Sequence, residues 1–106
     1  SMTVTAMLSV SPVDDASVDF EAEIARAVDA LEGYDIAYET HPMETTIEGE
    51  ELGEVFAAAQ AATEALEASR TLTALKIDHF RDQSLDVEDK VSMVETHLGR
   101  DARGGR

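Results

Sequence analysis

The groups with chemistry to offer in this 106-residue chain are mostly carboxylates. Asp and Glu number 23 against 8 Lys and Arg, and histidine occurs at His41, His79 and His97. Cysteine is absent, which removes disulfides, thiolate metal sites and a cysteine nucleophile. Two histidines and a carboxylate can hold a metal, but no HxH or HxxxH spacing joins the three histidines. His41 precedes Pro42 and is held extended by it; His79 and His97 are expected at the surface or an interface. There is no GxSxG, no P-loop and no Rossmann glycine pattern, each of which would mark a reaction class. A paired-carboxylate acid–base site fits so acidic a composition, yet no spacing places one. These residues give catalysis little support, and no metal or cofactor is expected.

The formal net charge is -15. A surface of that sign repels phosphate backbones, so nucleic acid is not an expected partner. Lysine occurs only at Lys76 and Lys90. Many carboxylates, few lysines and many alanines fit a protein adapted to high salt, because in molar salt a Debye length of about 3 Å screens the self-repulsion. The alternative is an acidic protein with no such adaptation. No apolar run approaches the roughly 20 residues of a membrane span. No basic region followed by an apolar stretch opens the chain, so a cytoplasmic location without membrane contact is expected. Ser1 ahead of Met2 reads as a residue left by cloning.

The elements that must position these groups follow from periodicity. Met2 to Val10 alternates, with Val4, Ala6, Leu8 and Val10 on one side and Thr3, Thr5, Met7 and Ser9 on the other, which is a half-buried strand. Ser11-Pro12 is expected to end it. Ser17 is a candidate cap for a first helix whose apolar stripe is Phe20, Ile24, Val28 and Leu31, closed by Gly33. Ile36 to Thr40 and Thr45 to Gly49 read as two short strands interrupted by His41-Pro42, close enough to pair as a hairpin. Glu50 and Glu51 open a second helix with stripe Leu52, Val55, Phe56, Ala59, Ala62 and Leu66. Its alanine-rich middle favours helix and close packing on a sheet. Thr71 to Phe80 is a fourth strand. Asp86 caps a third helix with stripe Val87, Val91, Val94 and Leu98, ended by Gly99.

The order is β-α-β-β-α-β with an added helix, an α+β, ferredoxin-like plan with an antiparallel sheet and both main helices on one face. A single domain over residues 2–99 is expected, followed by a basic tail over 100–106. That tail carries three of the eight basic residues and is expected to be mobile unless a partner holds it.

Such a plan buries Val4, Leu8, Ile36, Tyr38, Leu75 and Ile77 beneath the helices. The opposite face then carries Thr3, Thr5, Met7 and Ser9, Glu39 and His41, Thr46 and Glu48 (or their neighbours if a bulge shifts the register), and Leu72, Ala74, Lys76 and Asp78. This face is too apolar in part for a plain solvated surface and too polar for a dry core. Two readings fit it: a small-molecule pocket with apolar walls and a few placed polar groups, or a wet interface between subunits.

Three stretches carry a resemblance. They are Leu8-Ser9-Val10-Ser11-Pro12, then Tyr38 to Gly49 (YETHPMETTIEG), then Lys76 to Asp82 (KIDHFRD) with Val87 to Val91 (VEDKV) behind it. At these elements and in this order they resemble the thiamine-binding protein family, formerly a domain of unknown function, from Met2 to Leu98. The resemblance implies a ferredoxin-like fold and dimers that pair into tetramers through their sheets. It also implies a non-enzymatic carrier, scavenger or sensor of thiamine or its hydroxymethylpyrimidine part, seated on the open sheet face at an oligomer interface. For such a ligand, Glu48 and Asp78 would meet the cationic thiazolium. Thr45, Thr46 and Ser9 would bond the pyrimidine edge, and Met7 or Phe80 would give the apolar contact. Lys76 would either pair with Glu48 or Asp78 across the sheet or bond the ligand. The chain departs from the family pattern at Glu44, where glycine usually follows the Pro-Met pair. The rival expectations are a structural or regulatory oligomer without a ligand and an enzyme of small-metabolite chemistry.

Overall fold

The computed structural model describes residues 2–105; Ser1 and Arg106 lie outside the described residues. The elements are β1 (Val4–Pro12), α1 (Phe20–Ala30) running into a 3-10 turn (Leu31–Gly33), β2 (Ala37–Thr40), β3 (Thr45–Gly49), α2 (Leu52–Glu64), β4 (Thr71–His79) and α3 (Val87–Leu98). The four strands form one antiparallel sheet in the order β2-β3-β1-β4. With α1 and α2 packed on one face, this is the ferredoxin-like α+β plan that the element order predicts.

β1 sits between β3 and β4, and its alternation sets both faces of the sheet. Val4, Ala6, Leu8 and Val10 are buried beneath α1 and α2, together with Ile47 of β3 and Ala27, Leu31, Val55, Ala58, Ala59 and Ala62 from the helical layer. Ala58 and Ala62 have no exposed surface; their small side chains let α2 lie close to the strands. Tyr34, Ile36, Tyr38, Leu75 and Ile77 close the rim of this core.

Four local expectations change. Pro12 does not stop the first strand, which pairs through Pro12 opposite Thr71. A proline can fill the last rung because its missing donor is followed at once by another, Val13 N–H to the Arg70 carbonyl at 3.0 Å. Ser17 does not cap α1. Its amide and its hydroxyl both donate to Asp15, and the Asp19 carboxylate accepts from Ala22 N–H instead, at 3.0 Å. Glu23 and Ala27 are the buried residues of α1, followed by Leu31 in the turn; of the expected stripe Leu31 is buried, Ile24 and Val28 are half-buried and Phe20 is 54% exposed. Phe56 of α2 is equally exposed.

The buried carboxylate of Glu23 explains the turn of α1. It accepts from the amides of Glu67 and Ala68 at 2.9 to 3.1 Å and from Arg26 at 2.9 Å. A carboxylate away from water needs several donors, and here they come from the backbone of the α2–β4 connection and from Arg26. Asp15 makes the corresponding tie nearer the surface, accepting from Ser17 and from Ser69 N–H at 2.9 Å. The Ser17 hydroxyl, then the Ser69 and Ser17 amides, hold its carboxyl down at about 2, below its ordinary 3.8.

Two outcomes follow from these ties. Glu23→Ala strands two backbone amides and is expected to cost about 3 kcal/mol of folding stability in urea unfolding; a cost below about 1 kcal/mol would show that the connection does not depend on this carboxylate. Asp15 is ionised more readily folded than unfolded. Its contribution is therefore complete above pH 3.8 and fades as the pH falls towards about 2. Thermal melts of the wild type and Asp15→Asn should differ at pH 6 and converge across that acid window; a gap that stays constant would refute the assignment.

Candidate functional site

The face of the sheet away from α1 and α2 is set by register. Thr5 lies opposite Glu48 on one side and Asp78 on the other, and Met7 opposite Thr46 and Lys76. Ser9 lies opposite Ala74, and Ser11 opposite Leu72. On the outer pair, Ala37 lies opposite Glu48 and Glu39 opposite Thr46. This is the mixed face that the alternation predicts, at the predicted positions.

α3 lies at one end of this face, held there by polar contacts. Glu48 Oε2 accepts from Val87 N–H at 3.1 Å, an anion placed at the positive end of the helix. Lys90 Nζ donates to Asp78 Oδ2 at 2.6 Å and lies 5.5 Å from the centre of the Phe80 ring, within cation–π range. The Asp89 carboxylate accepts from Asp86 N–H at 3.0 Å, and Gly99 ends the helix with φ 71°. No described residue of α3 is fully buried, and Val91, Met93, Val94 and Leu98 are each about half exposed. The radius of gyration, 15.5 Å, exceeds the roughly 13 Å of a compact chain this long, as expected for a helix that stands off the body.

Between α3 and the β2–β3 end of the open face lies a cavity of about 650 Å³, a size that suits a small molecule. The sheet gives Ala37, Tyr38, Glu39, His41, Thr46 and Glu48; α3 gives Val87, Glu88, Val91, Ser92 and Glu95; Arg103, beyond α3, completes the wall. Four carboxylates therefore face one basic side chain and one histidine, His41, whose Nε2 lies 3.8 Å from Glu39. Ser92 donates its hydroxyl to the Glu88 carbonyl at 2.8 Å. Deeper on the face, Thr5 Oγ1 is buried without a protein partner. Among the described residues no three His, Asp or Glu side chains are placed to hold a metal ion. No described helix is long and apolar enough to cross a membrane.

The eight expected ligand residues separate into four groups. Thr46 and Glu48 line the cavity. Asp78 and Phe80 border α3 and hold Lys90. Met7, Ser9 and Lys76 are on the open face, farther along β1 and β4 and outside the cavity. Thr45 is on the helix side, 6% exposed, with its hydroxyl 3.0 Å from that of Thr40. Lys76 does not form the cross-strand pair expected of it. Lys90 takes Asp78, because a helix residue reaching down onto the sheet approaches the carboxylate more closely than a lysine two positions along the same strand. Sequence reasoning missed the α3 wall, although Glu88, Ser92 and Glu95 stand at helical spacing beside Val87 and Val91, a polar strip next to an apolar one.

Glu44 needs no glycine-like backbone. Among the described residues the one non-glycine with positive φ is Asp14, at 51°. Glu44 accepts from His41 N–H at 2.7 Å through its carbonyl, which closes the β2–β3 turn, and its Oε2 is buried without a protein donor.

The comparisons with known proteins agree with this architecture. The chain is 38% identical over 98 residues to a UPF0045 protein of Methanothermobacter thermautotrophicus, covering 90% of this chain and 99% of that one. Among solved structures it is similar to a hypothetical protein of Methanocaldococcus jannascii, with TM-score 0.77 and 26% identity over 87% of this chain and 95% of that one. It is also similar to a proposed thiamine biosynthesis/salvage protein of Thermotoga maritima, with TM-score 0.70 and 28% identity over 87% of this chain and 98% of that one. The family model described as thiamine-binding protein matches residues 6–95, from the middle of β1 to the Glu95 wall of the cavity, and the chain belongs to that family.

Proposed function

We propose that this protein binds thiamine or its hydroxymethylpyrimidine part, without catalysis, in the cavity between α3 and the open sheet face. The observation that carries the reading is the lining of that cavity. Ala37, Val87 and Val91 offer apolar contact, Thr46 and Ser92 offer hydrogen bonds, and Glu39, Glu48, Glu88 and Glu95 surround the space with negative charge. A flat aminopyrimidine joined to a thiazolium cation needs those three kinds of wall. Membership of a family described as thiamine-binding supports the same ligand. The Ser92 hydroxyl is engaged with its own helix rather than with a base, which favours binding over covalent chemistry.

The function is that of an oligomer. Leu72 on the open face is 63% exposed, and Met93, Val94 and Leu98 along the C-terminal half of α3 are 58, 55 and 44% exposed. Apolar side chains grouped this way favour burial against another subunit. Met7, Ser9 and Lys76, at the end of the face that α3 leaves open, would be covered by the same contact. The competing structural oligomer would bury these groups and leave the cavity without a ligand.

Calorimetric titration with thiamine and with hydroxymethylpyrimidine, in about 1 M KCl to screen self-repulsion, decides between them. The expected result is saturable thiamine binding. Glu48→Gln should weaken it about tenfold, or about 1.4 kcal/mol, while neutral hydroxymethylpyrimidine changes less than twofold. Glutamine keeps an acceptor for Val87 N–H, so the variant removes charge and retains the α3 anchor. No heat with either compound would remove thiamine as the ligand and favour the structural oligomer. A monomer by light scattering would remove the intersubunit site.

A further inference from the structure

The acidic cavity already contains a cation of its own. After Gly99 turns the chain in a left-handed conformation, the tail returns to α3 at Ala102 and Arg103. Ala102 N–H donates to Glu95 Oε2 at 2.9 Å, and Arg100 donates to the Asp101 carbonyl at 3.0 Å. The Ala102–Glu95 bond holds the neighbouring residue at α3, and Arg103, itself exposed, lines the same cavity as Glu39, Glu48 and Glu88. It forms no ion pair within 4 Å of a described carboxylate. It is therefore placed in the field of the site without being locked to any one group.

We infer that Arg103 is an intramolecular counter-ion of the cavity, one that an organic cation must displace in order to bind. This rests on the reading of the cavity as a cation site. Four carboxylates around one space repel each other, and a guanidinium carried on the same chain relieves that repulsion while no ligand is present. The same residue then opposes a second positive charge. A docked arginine lowers affinity by the fraction of molecules whose site it leaves free. With four carboxylates against one arginine, the lining favours a displaced guanidinium over a fixed phosphate ligand, which the net negative field would repel.

The test uses the full chain, Arg103→Ala and Arg103→Lys. Amide chemical shifts first establish whether the residue docks. Replacing Arg103 by Ala should move the amide signals of Glu39, Thr46, Glu48, Glu88 and Glu95 as well as those of its neighbours, and shifts confined to residues 100–106 would overturn the contact. Titration follows with two cations, thiamine and benzyltrimethylammonium, the second an aromatic quaternary amine without the pyrimidine. Arg103→Ala should bind at least one of them about three- to tenfold more tightly than the wild type, and Arg103→Lys should stay within twofold of it. Tighter binding of benzyltrimethylammonium without any thiamine binding would uphold the counter-ion and remove the thiamine reading. Equal or weaker cation binding by Arg103→Ala, or no cation binding by any chain, would overturn the inference. If thiamine phosphate binds the wild type more tightly than thiamine, and Arg103→Ala abolishes that preference, the arginine is a phosphate ligand and the counter-ion role is wrong.

Discussion

β1 is hydrogen-bonded on both sides, to β3 and to β4, and the period of two along it fixes which side chains enter the core and which do not. A slip of one residue would turn Val4, Ala6, Leu8 and Val10 out to water and bring Thr5, Met7, Ser9 and Ser11 beneath the helices. The open face is thus a consequence of packing the other face. Glu48 and Asp78 flank Thr5 because Val4 and Ala6 are buried, and no separate device is needed to bring two carboxylates from distant parts of the chain within one strand of each other.

α3 depends on a different kind of force. The main helices are held by apolar burial, which is non-directional and weakly affected by salt. α3 is held by a carboxylate at its first turn, a lysine on an aspartate and the same lysine near an aromatic ring. Contacts of this kind are individually modest and open more readily than a core. The wall of the cavity formed by Val87, Glu88, Val91, Ser92 and Glu95 is therefore the less stable of its two walls. A helix held this way is the wall of the cavity that would shift first, while the sheet beneath it is held by the core.

Much of this was legible in the residues because it depends on periodicity. The strand faces, the split element order and the Asp86 and Gly99 ends of α3 are local patterns with a single geometric meaning. The errors lie where one local pattern competes with another or with a distant partner. Ser17 has the right chemistry for a helix cap, but Asp15 two residues earlier captures it. Glu23 reads as a solvated acid in a chain full of acids, and only the amides of Glu67 and Ala68, more than forty positions away, make its burial possible. Thr45 is expected beside Thr46; parity along β3 sends the two to opposite faces, and Thr45 is on the buried, helix side while Thr46 lines the cavity.

The chain's acidity makes charge alone a poor guide to its site. With 23 carboxylates, attraction for any cation is general, and at high ionic strength most of it is screened within a few ångströms. What distinguishes Glu39, Glu48, Glu88 and Glu95 is that they converge on a partly enclosed space walled by Ala37, Val87 and Val91. A molecule bound there would give up its hydration, so apolar contact and charge would act on it together. Small inorganic cations cannot use the apolar part, and neutral aromatics cannot use the charged part. On the proposed reading, selectivity for an organic cation would come from joining the two in one cavity, and that junction exists only because α3 brings an apolar strip and an acidic strip against an open face whose polarity was fixed by the burial of the other side of β1.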